Sequence, residues 1–492
     1  MNYFSTRGEK KAYNPAQALI KGIAEDKGLY VPEQLKFKFD IDQFTDKRYH
    51  EIAEIILKEY FSDSGIDIAA CTQNAYNTSN FYTDEPVKIK YTHDKIFLEL
   101  FHGKTAAFKD MALSILPYLM KEAIRAQKLD EKIVILTATS GDTGKSALEA
   151  FKDKDGIDII VFYPSEGVSA VQKRHMQSQE GKNVHVIGIK GNFDDAQTAV
   201  KETFDSAEVK KQAQKYHKIL SSANSINIGR LFPQTIYYWT AYTKLLQDGK
   251  IKKGDKVNFC VPTGNFGNIL AGYYASKAGL PVGKFICASN ENNVLTDFIK
   301  TGVYNKNRTF KKTISPSMDI LISSNLERLL YHLSNNNGSY TAELMDCLNT
   351  KGEYEITEAV KKKISHLFYG GFADEEKIKE TIALTYEKDG YVIDPHTAAA
   401  AYVYEQYVAD SADSTPTVIL STANAYKFAD SVLDAIFHKK AESMQALDEL
   451  SKKTNVPMHP ALYNIADKKI LHSRICEAEE IEAVITEILK EN

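Results

Sequence analysis

From residue 95 onward, short apolar runs alternate with amphipathic stretches, and this alternation limits the fold more than any other feature of the chain. The runs lie at residues 96–101, 133–138, 157–163, 184–189, 257–261, 285–288 and 418–420. Between most of them, apolar residues recur at helical spacing, as at 111–127, 194–207 and 231–247. A strand that is apolar on both faces must be covered on both, and a parallel neighbour requires a crossover, usually a helix. The expected fold class is therefore α/β, with open, mostly parallel sheets covered by helices. Such sheets bind ligands beyond the carboxyl ends of their strands.

The flanks depart from this pattern. Residues 1–90 are mixed and Tyr-rich, with helical spacing over 49–61 (YHEIAEIILKEYF) and a turn leading into an extended piece at 28–32 (GLYVP). They predict a small helical N-terminal domain. Residues 300–385 are rich in Asn and Lys, with NNNG at 335–338 and a charged helical stretch at 355–367, and read as an insertion with a helical subdomain. After 439 a short mixed tail follows. The catalytic core is thus expected over 91–299 and 386–438, with a smaller subdomain at about 110–225. At 492 residues the chain is too long for a single core of ordinary size.

Charge and cysteine usage exclude several classes. The net charge of −4 gives no electrostatic case for nucleic acid or an anionic membrane. The five cysteines (Cys71, Cys260, Cys287, Cys347 and Cys476) are scattered and form no CxxC pair. This argues against a disulfide framework or a Cys-rich zinc site and fits a reducing cytoplasm. The N-terminus MNYFSTRGEKKAYNP lacks the apolar segment of a secretory signal. No apolar run nears the ~18 residues that span a bilayer. No HExxH occurs and the histidines do not cluster, so no metal site is expected. There is no GxSxG elbow.

Five segments carry candidate chemistry. In FHGKTAAFKDMAL (101–113), a strand end passes through a small-residue loop into a helix, placing Lys109 at the helix N-terminus. The helix dipole disfavours a cation there, so the position suits a lysine that loses its charge or shares it with an anion. Read alone, Lys109 also fits a solvated loop end. In IVILTATSGDTGKS (133–146), a strand runs into a Gly-rich loop able to form an anion nest. The end GKS matches a P-loop, but Thr139 stands where the leading Gly belongs, and Asp142 would repel a phosphate. In VNFCVPTGNFGNILAG (257–272), a second glycine loop opens a helix without the GxGxxG fingerprint. SSANSINIGR (221–230) gathers amides, hydroxyls and Arg230, suited to a carboxylate or phosphate; helix capping by Asn is the plainer alternative. TVILSTANAYK (417–427) ends a strand in hydroxyls, with simple capping by Thr422 or Asn424 as the alternative.

In order and spacing these segments resemble the threonine synthase family, in its longer form with an extra N-terminal domain. That family belongs to the fold-type II pyridoxal-phosphate (PLP) enzymes, with tryptophan synthase β and threonine dehydratase. The matching pieces also include Ser5-Thr6-Arg7, GLYVP, DPHTA at 394–398 and the STA…KF segment, and span most of residues 1–438. The resemblance implies two open, mostly parallel sheet domains, a small N-terminal domain and an insertion. It implies that Lys109 is the catalytic lysine, carrying PLP as a Schiff base. Gly264, Asn265, Phe266, Gly267 and Asn268 would wrap the cofactor phosphate, and Thr422 would bond the pyridine nitrogen. Asp142 falls where related enzymes carry Asn near the cofactor 3′-oxygen. Thr139, Ser140, Thr143, Asn224 and Arg230 would hold the substrate's carboxylate and phosphate.

The implied reaction converts O-phospho-L-homoserine and water to L-threonine and phosphate, the last step of threonine biosynthesis. Alternatives are another PLP-dependent lyase such as a serine/threonine dehydratase, a P-loop NTPase using Lys145, and a catalytically silent PLP-fold protein. The expected partner is this small substrate alone, with the protein a monomer or small homo-oligomer. Three positions depart from the family: Lys104 replaces Pro, Asn424-Ala425 replaces His-Pro, and Asn268 replaces Asp.

Overall fold

The computed structural model describes residues 1–34, 37–139, 141–166, 168–191 and 193–491. Its two large sheets have six and five strands. The six-stranded sheet runs Phe368–Phe372, Val282–Ser289, Val257–Pro262, Thr417–Ser421, Ile96–Glu99, Lys88–Tyr91. Its pairings are parallel except the last, where Lys88–Tyr91 lies antiparallel on Ile96–Glu99. The five-stranded sheet is wholly parallel, in the order Ile475–Glu477, Val184–Lys190, Ile157–Pro164, Lys132–Ala138, Lys218–Ser222. All seven apolar runs form strands, as two-face burial requires. The chain is an α/β protein with two open, mostly parallel sheets.

Four strands of these two sheets had no apolar run to announce them. Lys88–Tyr91 alternates exposed and half-buried residues at a sheet edge, and Lys218–Ser222 ends in hydroxyls. Phe368–Phe372 contains two glycines, normally poor strand formers. Packing explains them: a Cβ on Gly370 would lie 3.1 Å from the Thr296 backbone, and one on Gly371 2.7 Å from Val403 Cγ1. The 300–385 segment thus contributes an edge strand to the larger sheet. The tail joins the other sheet: Ile475–Glu477 pairs with Val184–Lys190, and the helix Ile481–Leu489 packs on Ile187 and Ile189.

The helical stretch at 111–127 is two helices, Asp110–Leu113 and Leu116–Gln127. Pro117 has no N–H to continue the ladder, so it sits in the first turn of a new helix. The N-terminal segment contributes Pro15–Lys21, Tyr49–Tyr60 and Ile68–Ala75. It shares one apolar cluster with the larger sheet and its helices. Tyr60, for example, stacks on Phe232 with ring centroids 4.1 Å apart. Among the described residues no helix is long and apolar enough to cross a membrane.

Candidate active site

Each of the five segments follows the carboxyl end of a parallel strand. Val257–Pro262, Thr417–Ser421 and Ile96–Glu99 are neighbours in one sheet, and Lys132–Ala138 and Lys218–Ser222 are neighbours in the other. Sheet order therefore gathers the motifs although they lie far apart in sequence. The Lys109 loop is stitched directly to the Thr422 strand end. Phe108 N donates to Thr422 O at 2.7 Å, and Asn424 N donates to Ala106 O at 3.0 Å.

Lys109 precedes the helix Asp110–Leu113 and is half-buried. Its ammonium lies 4.3 Å from the Phe108 ring centroid. Burial first, then the Arg230 charge, push its pKa down to about 7, with Asp142 opposing and Lys427 assisting. An amine of this kind is substantially neutral near physiological pH, as nucleophilic or proton-transfer work requires. The next residue, Asp110, folds the loop back: it accepts from Thr105 N (2.8 Å), Thr105 Oγ1 (2.6 Å) and Ser146 Oγ. Gly103 packs on this carboxylate so closely that an added Cβ would lie 2.4 Å from Asp110 Oδ2.

Asp142 and Lys427 form a buried ion pair at 2.6 Å. Gln172 Nε2 also donates to Asp142 Oδ1 (2.8 Å), and Ser317 Oγ approaches Oδ2 (3.4 Å). Burial alone would raise the Asp142 carboxyl; Lys427 and these donors outweigh it and hold the pKa at about 2. Lys427 also donates to Thr105 O at 2.9 Å, so one ammonium joins the Thr422, Lys109 and Asp142 segments. Lys427→Met is expected to cost about 3–5 kcal/mol in denaturant unfolding, because it strands a buried carboxylate. Adding Asp142→Asn should recover most of that loss. The folded-state pKa of Asp142 lies below the ordinary carboxylate value near 4. Its stabilisation is therefore complete above that value and is lost as pH falls through about 2.

The glycine loop at 264–268 presents amides to its open side. Phe266 is left-handed (φ 62°) and precedes the helix Gly267–Lys277. The carbonyls are drawn away: Gly264 O accepts from Ser323 Oγ (2.7 Å), and Asn265 O accepts from Asn325 N (3.1 Å) and Nδ2 (3.0 Å). The backbone amides from Gly264 to Asn268 have no partner among the described residues. Unpaired N–H groups at a helix N-terminus make a phosphate cradle. The Asn268 side chain is self-contained, donating to Pro262 O (2.9 Å) and accepting from Ile269 N (3.0 Å). A Cβ on Gly264 would lie 2.4 Å from Ser317 O, a backbone atom. Gly264→Ala is expected to cost about 1–3 kcal/mol in chemical denaturation, as overpacking does, and to weaken anion binding.

On the other sheet, Arg230 is 2% exposed and donates to Ala223 O at 2.5 Å. Its Nε has no partner, and its charge is offset only by the field of Asp110. Burial lowers its pKa to about 10, so it stays charged. A buried guanidinium without a carboxylate is an anion site in waiting. Asn224 Nδ2 donates to Ala138 O (2.9 Å), tying this loop to the end of Lys132–Ala138. Thr139 Oγ1 accepts from Gly141 N (2.9 Å) and Gly144 N (2.8 Å), so its oxygen closes the loop and only its proton is left to donate. Thr143 is half-buried in the first turn of the helix Asp142–Phe151, and Ser140 lies outside the described residues. Lys145 points away from the loop to Glu149 (3.2 Å) and Gln179, which leaves the P-loop reading without its lysine. Lys104, 3.9 Å from Glu149 and half-buried, behaves as a loop residue.

Sequence reading passed over Asp110 and Lys427 as working residues, although both stand inside quoted motifs. It gave no sign of Asn325, and it included His396 in DPHTA without a role. His396 Nε2 accepts from Ser317 N (3.1 Å), so Nδ1 carries the proton toward Asp394 (2.7 Å) and fixes the segment over Gly264.

A half-buried lysine with a depressed pKa, an unpaired amide cradle and a buried cation, set at the strand ends of this fold, define the PLP-dependent class. The family model described as "Pyridoxal-phosphate dependent enzyme" matches residues 90–423. Models of the threonine synthase N terminus and C-terminal region match residues 2–76 and 397–460. The chain belongs to the threonine synthase family. It is 38% identical over 436 residues to the threonine synthase of Pseudomonas aeruginosa, covering 88% of this chain and 90% of that one. It is 38% identical over 482 residues to threonine synthase-like 1 of Pongo abelii, covering 94% of this chain and 64% of that protein. The chain thus spans less than two thirds of the length of that relative. The crystal structure of PLP-bound threonine synthase from Brucella melitensis superposes with a TM-score of 0.85 at 34% identity, covering 100% of both chains.

Proposed function

We propose that this protein is a threonine synthase, converting O-phospho-L-homoserine and water to L-threonine and phosphate with PLP as cofactor. The observation that carries the reading is the Arg230 guanidinium, buried without a counter-ion where its charge reaches the Lys109 amine. A substrate that carries a phosphate besides its carboxylate supplies an anion for Arg230 as well as one for the Asn224 loop; serine and threonine bring the carboxylate alone.

The residues fit the cofactor. Amides from Gly264 to Asn268 suit its phosphate, Lys109 its aldehyde carbon, and Thr422 its ring nitrogen as a neutral hydroxyl partner. Asp142, neutralised by Lys427, suits the side of its 3′-oxygen. When bound, PLP supplies an electron sink for negative charge developing on the substrate carbons.

The chain's own groups then divide the work. Lys109 would take the proton from Cα, pass it to the departing phosphate, and then take one from Cβ. Arg230 holds the phosphate oxygens as the Cγ–O bond breaks and the electron pair leaves with phosphate. A proton returns to Cγ to form the methyl group. Water then adds its oxygen at Cβ and gives a proton to Lys109, which returns it to Cα. Asn224, Thr139, Ser140 and Thr143 orient the carboxylate and phosphate. The depressed Lys109 pKa keeps the amine able to accept at neutral pH. All five cysteines are unpaired, which suits the cytoplasm.

The test is a coupled assay on the holoenzyme. Phosphate release from phosphohomoserine should match threonine formation one for one. A dehydratase would instead form 2-oxo acid from serine or threonine and release no phosphate.

A further inference from the structure

The helix Leu326–Leu333 belongs to the 300–385 segment, whose Ser317, Ser323 and Asn325 frame the glycine loop, and its first turn meets three separate regions of the chain. Arg328 is fully buried, and each of its three nitrogens has its own acceptor in a different part of the chain. Nε donates to Tyr30 O (2.9 Å) in the N-terminal strand Tyr30–Pro32. Nη2 donates to Ile226 O (2.5 Å), in the loop that carries Asn224 and Arg230. Nη1 donates to Asn325 Oδ1 (2.5 Å). Its neighbour Glu327 is engaged elsewhere, pairing with Arg7 (2.9 Å) and accepting from Thr6 Oγ1 (2.5 Å). A guanidinium buried against neutral acceptors is costly to keep, and its planar fork fixes the relative positions of whatever it holds.

What it holds bears on the glycine loop. With Asn325 Oδ1 turned to Arg328, Asn325 Nδ2 must face the other way, where it donates to Asn265 O (3.0 Å) and Ser225 Oγ (3.3 Å). The Asn325 backbone amide donates to the same Asn265 carbonyl (3.1 Å). This pull on the carbonyl side leaves the amides of 264–268 facing the cradle.

We propose that Arg328 is a positioning residue that, through Asn325, holds the Gly264–Asn268 loop in its phosphate-binding form and ties that form to the seating of the N-terminal strand and the Asn224–Arg230 loop. The proposal rests on the reading of the cradle as a PLP phosphate site. The Ser5-Thr6-Arg7 segment gains a purpose: by gripping Glu327 it clasps the helix turn that carries Arg328.

The test is a double-mutant cycle on full-length protein with Asn325→Ala and Arg328→Lys. Apoprotein is titrated with PLP by fluorescence, with circular dichroism and melting of the apo forms as controls for folding. Each single change should weaken PLP binding about 10-fold. The double variant should be no weaker than the worse single, because both cut one link. At saturating PLP, kcat should recover in both, while KM for phosphohomoserine stays raised only in Arg328→Lys, which alone loses the Ile226 tie. If Arg328→Lys does not fold, Arg7→Ala takes its place in the cycle, with a smaller shift of the same kind. Additive losses, or unchanged PLP affinity in folded variants, overturn the proposal. Failure of the wild type to bind PLP would instead overturn the reading of the site, and this proposal with it.

Discussion

Lys109→Ala is expected to lower turnover of phosphohomoserine by at least about 10⁴-fold, the upper range for proton transfer by one placed side chain. The loss is this large because one amine has several tasks: it takes protons from Cα and Cβ and returns one to Cα. No neighbour can take over. Lys427 is locked between Asp142 and Thr105, and Lys145 points to Glu149. The fold should survive, since the Lys109 side chain has no hydrogen bond or ion pair among the described residues. In the wild type, kcat should fall as pH drops below about 7, where the Lys109 amine, free once substrate is bound, becomes protonated. Steady-state rates across pH, with melting curves of both proteins, check each part. A variant that keeps even a hundredth of the rate would remove Lys109 from the mechanism.

The second large effect is expected at Arg230. Arg230→Met should lower kcat/KM for phosphohomoserine by about 10²–10³-fold, as loss of a donor aimed at developing negative charge does. Its effect on stability should run the other way. The methionine removes a buried cation that has only a carbonyl partner and a distant carboxylate. The apoprotein should therefore melt no lower than wild type. Arg230 also helps to depress the Lys109 amine, so its loss raises that pKa and moves the acid limb of the rate profile to higher pH. Activity and stability moving in opposite directions would mark Arg230 as kept for a ligand. A fall in both together would mark it as a structural arginine.

The seven central strands were legible because each is apolar on both faces, and the motifs were legible because each joins a strand end to a helix. The break at Ser114–Ile115 is visible only if Pro117 is taken as a helix start instead of a helix member. Phe368–Phe372 was hidden because its glycines answer to the packing of Thr296 and Val403, partners far away in sequence. Sequence could propose Arg230 as an anion ligand, but only its burial without a counter-ion separates that role from a solvated one. Asn325 and Arg328 gave no signal, because three-way hydrogen bonding to two backbone carbonyls and an amide leaves no pattern in a linear chain. Thr139 reads as a substrate ligand in sequence, and the fold narrows what it can offer: its oxygen serves Gly141 and Gly144, which leaves its proton to donate.

The most direct measurement of the central claim is chemical. Purified protein supplied with PLP is reduced with borohydride, digested and mapped by mass spectrometry. The account predicts that the reduced cofactor is fixed on one residue, Lys109, and that the absorbance of the imine disappears as it is fixed. Labelling of Lys427 or Lys145 instead, or no fixed cofactor in wild-type protein, would contradict it.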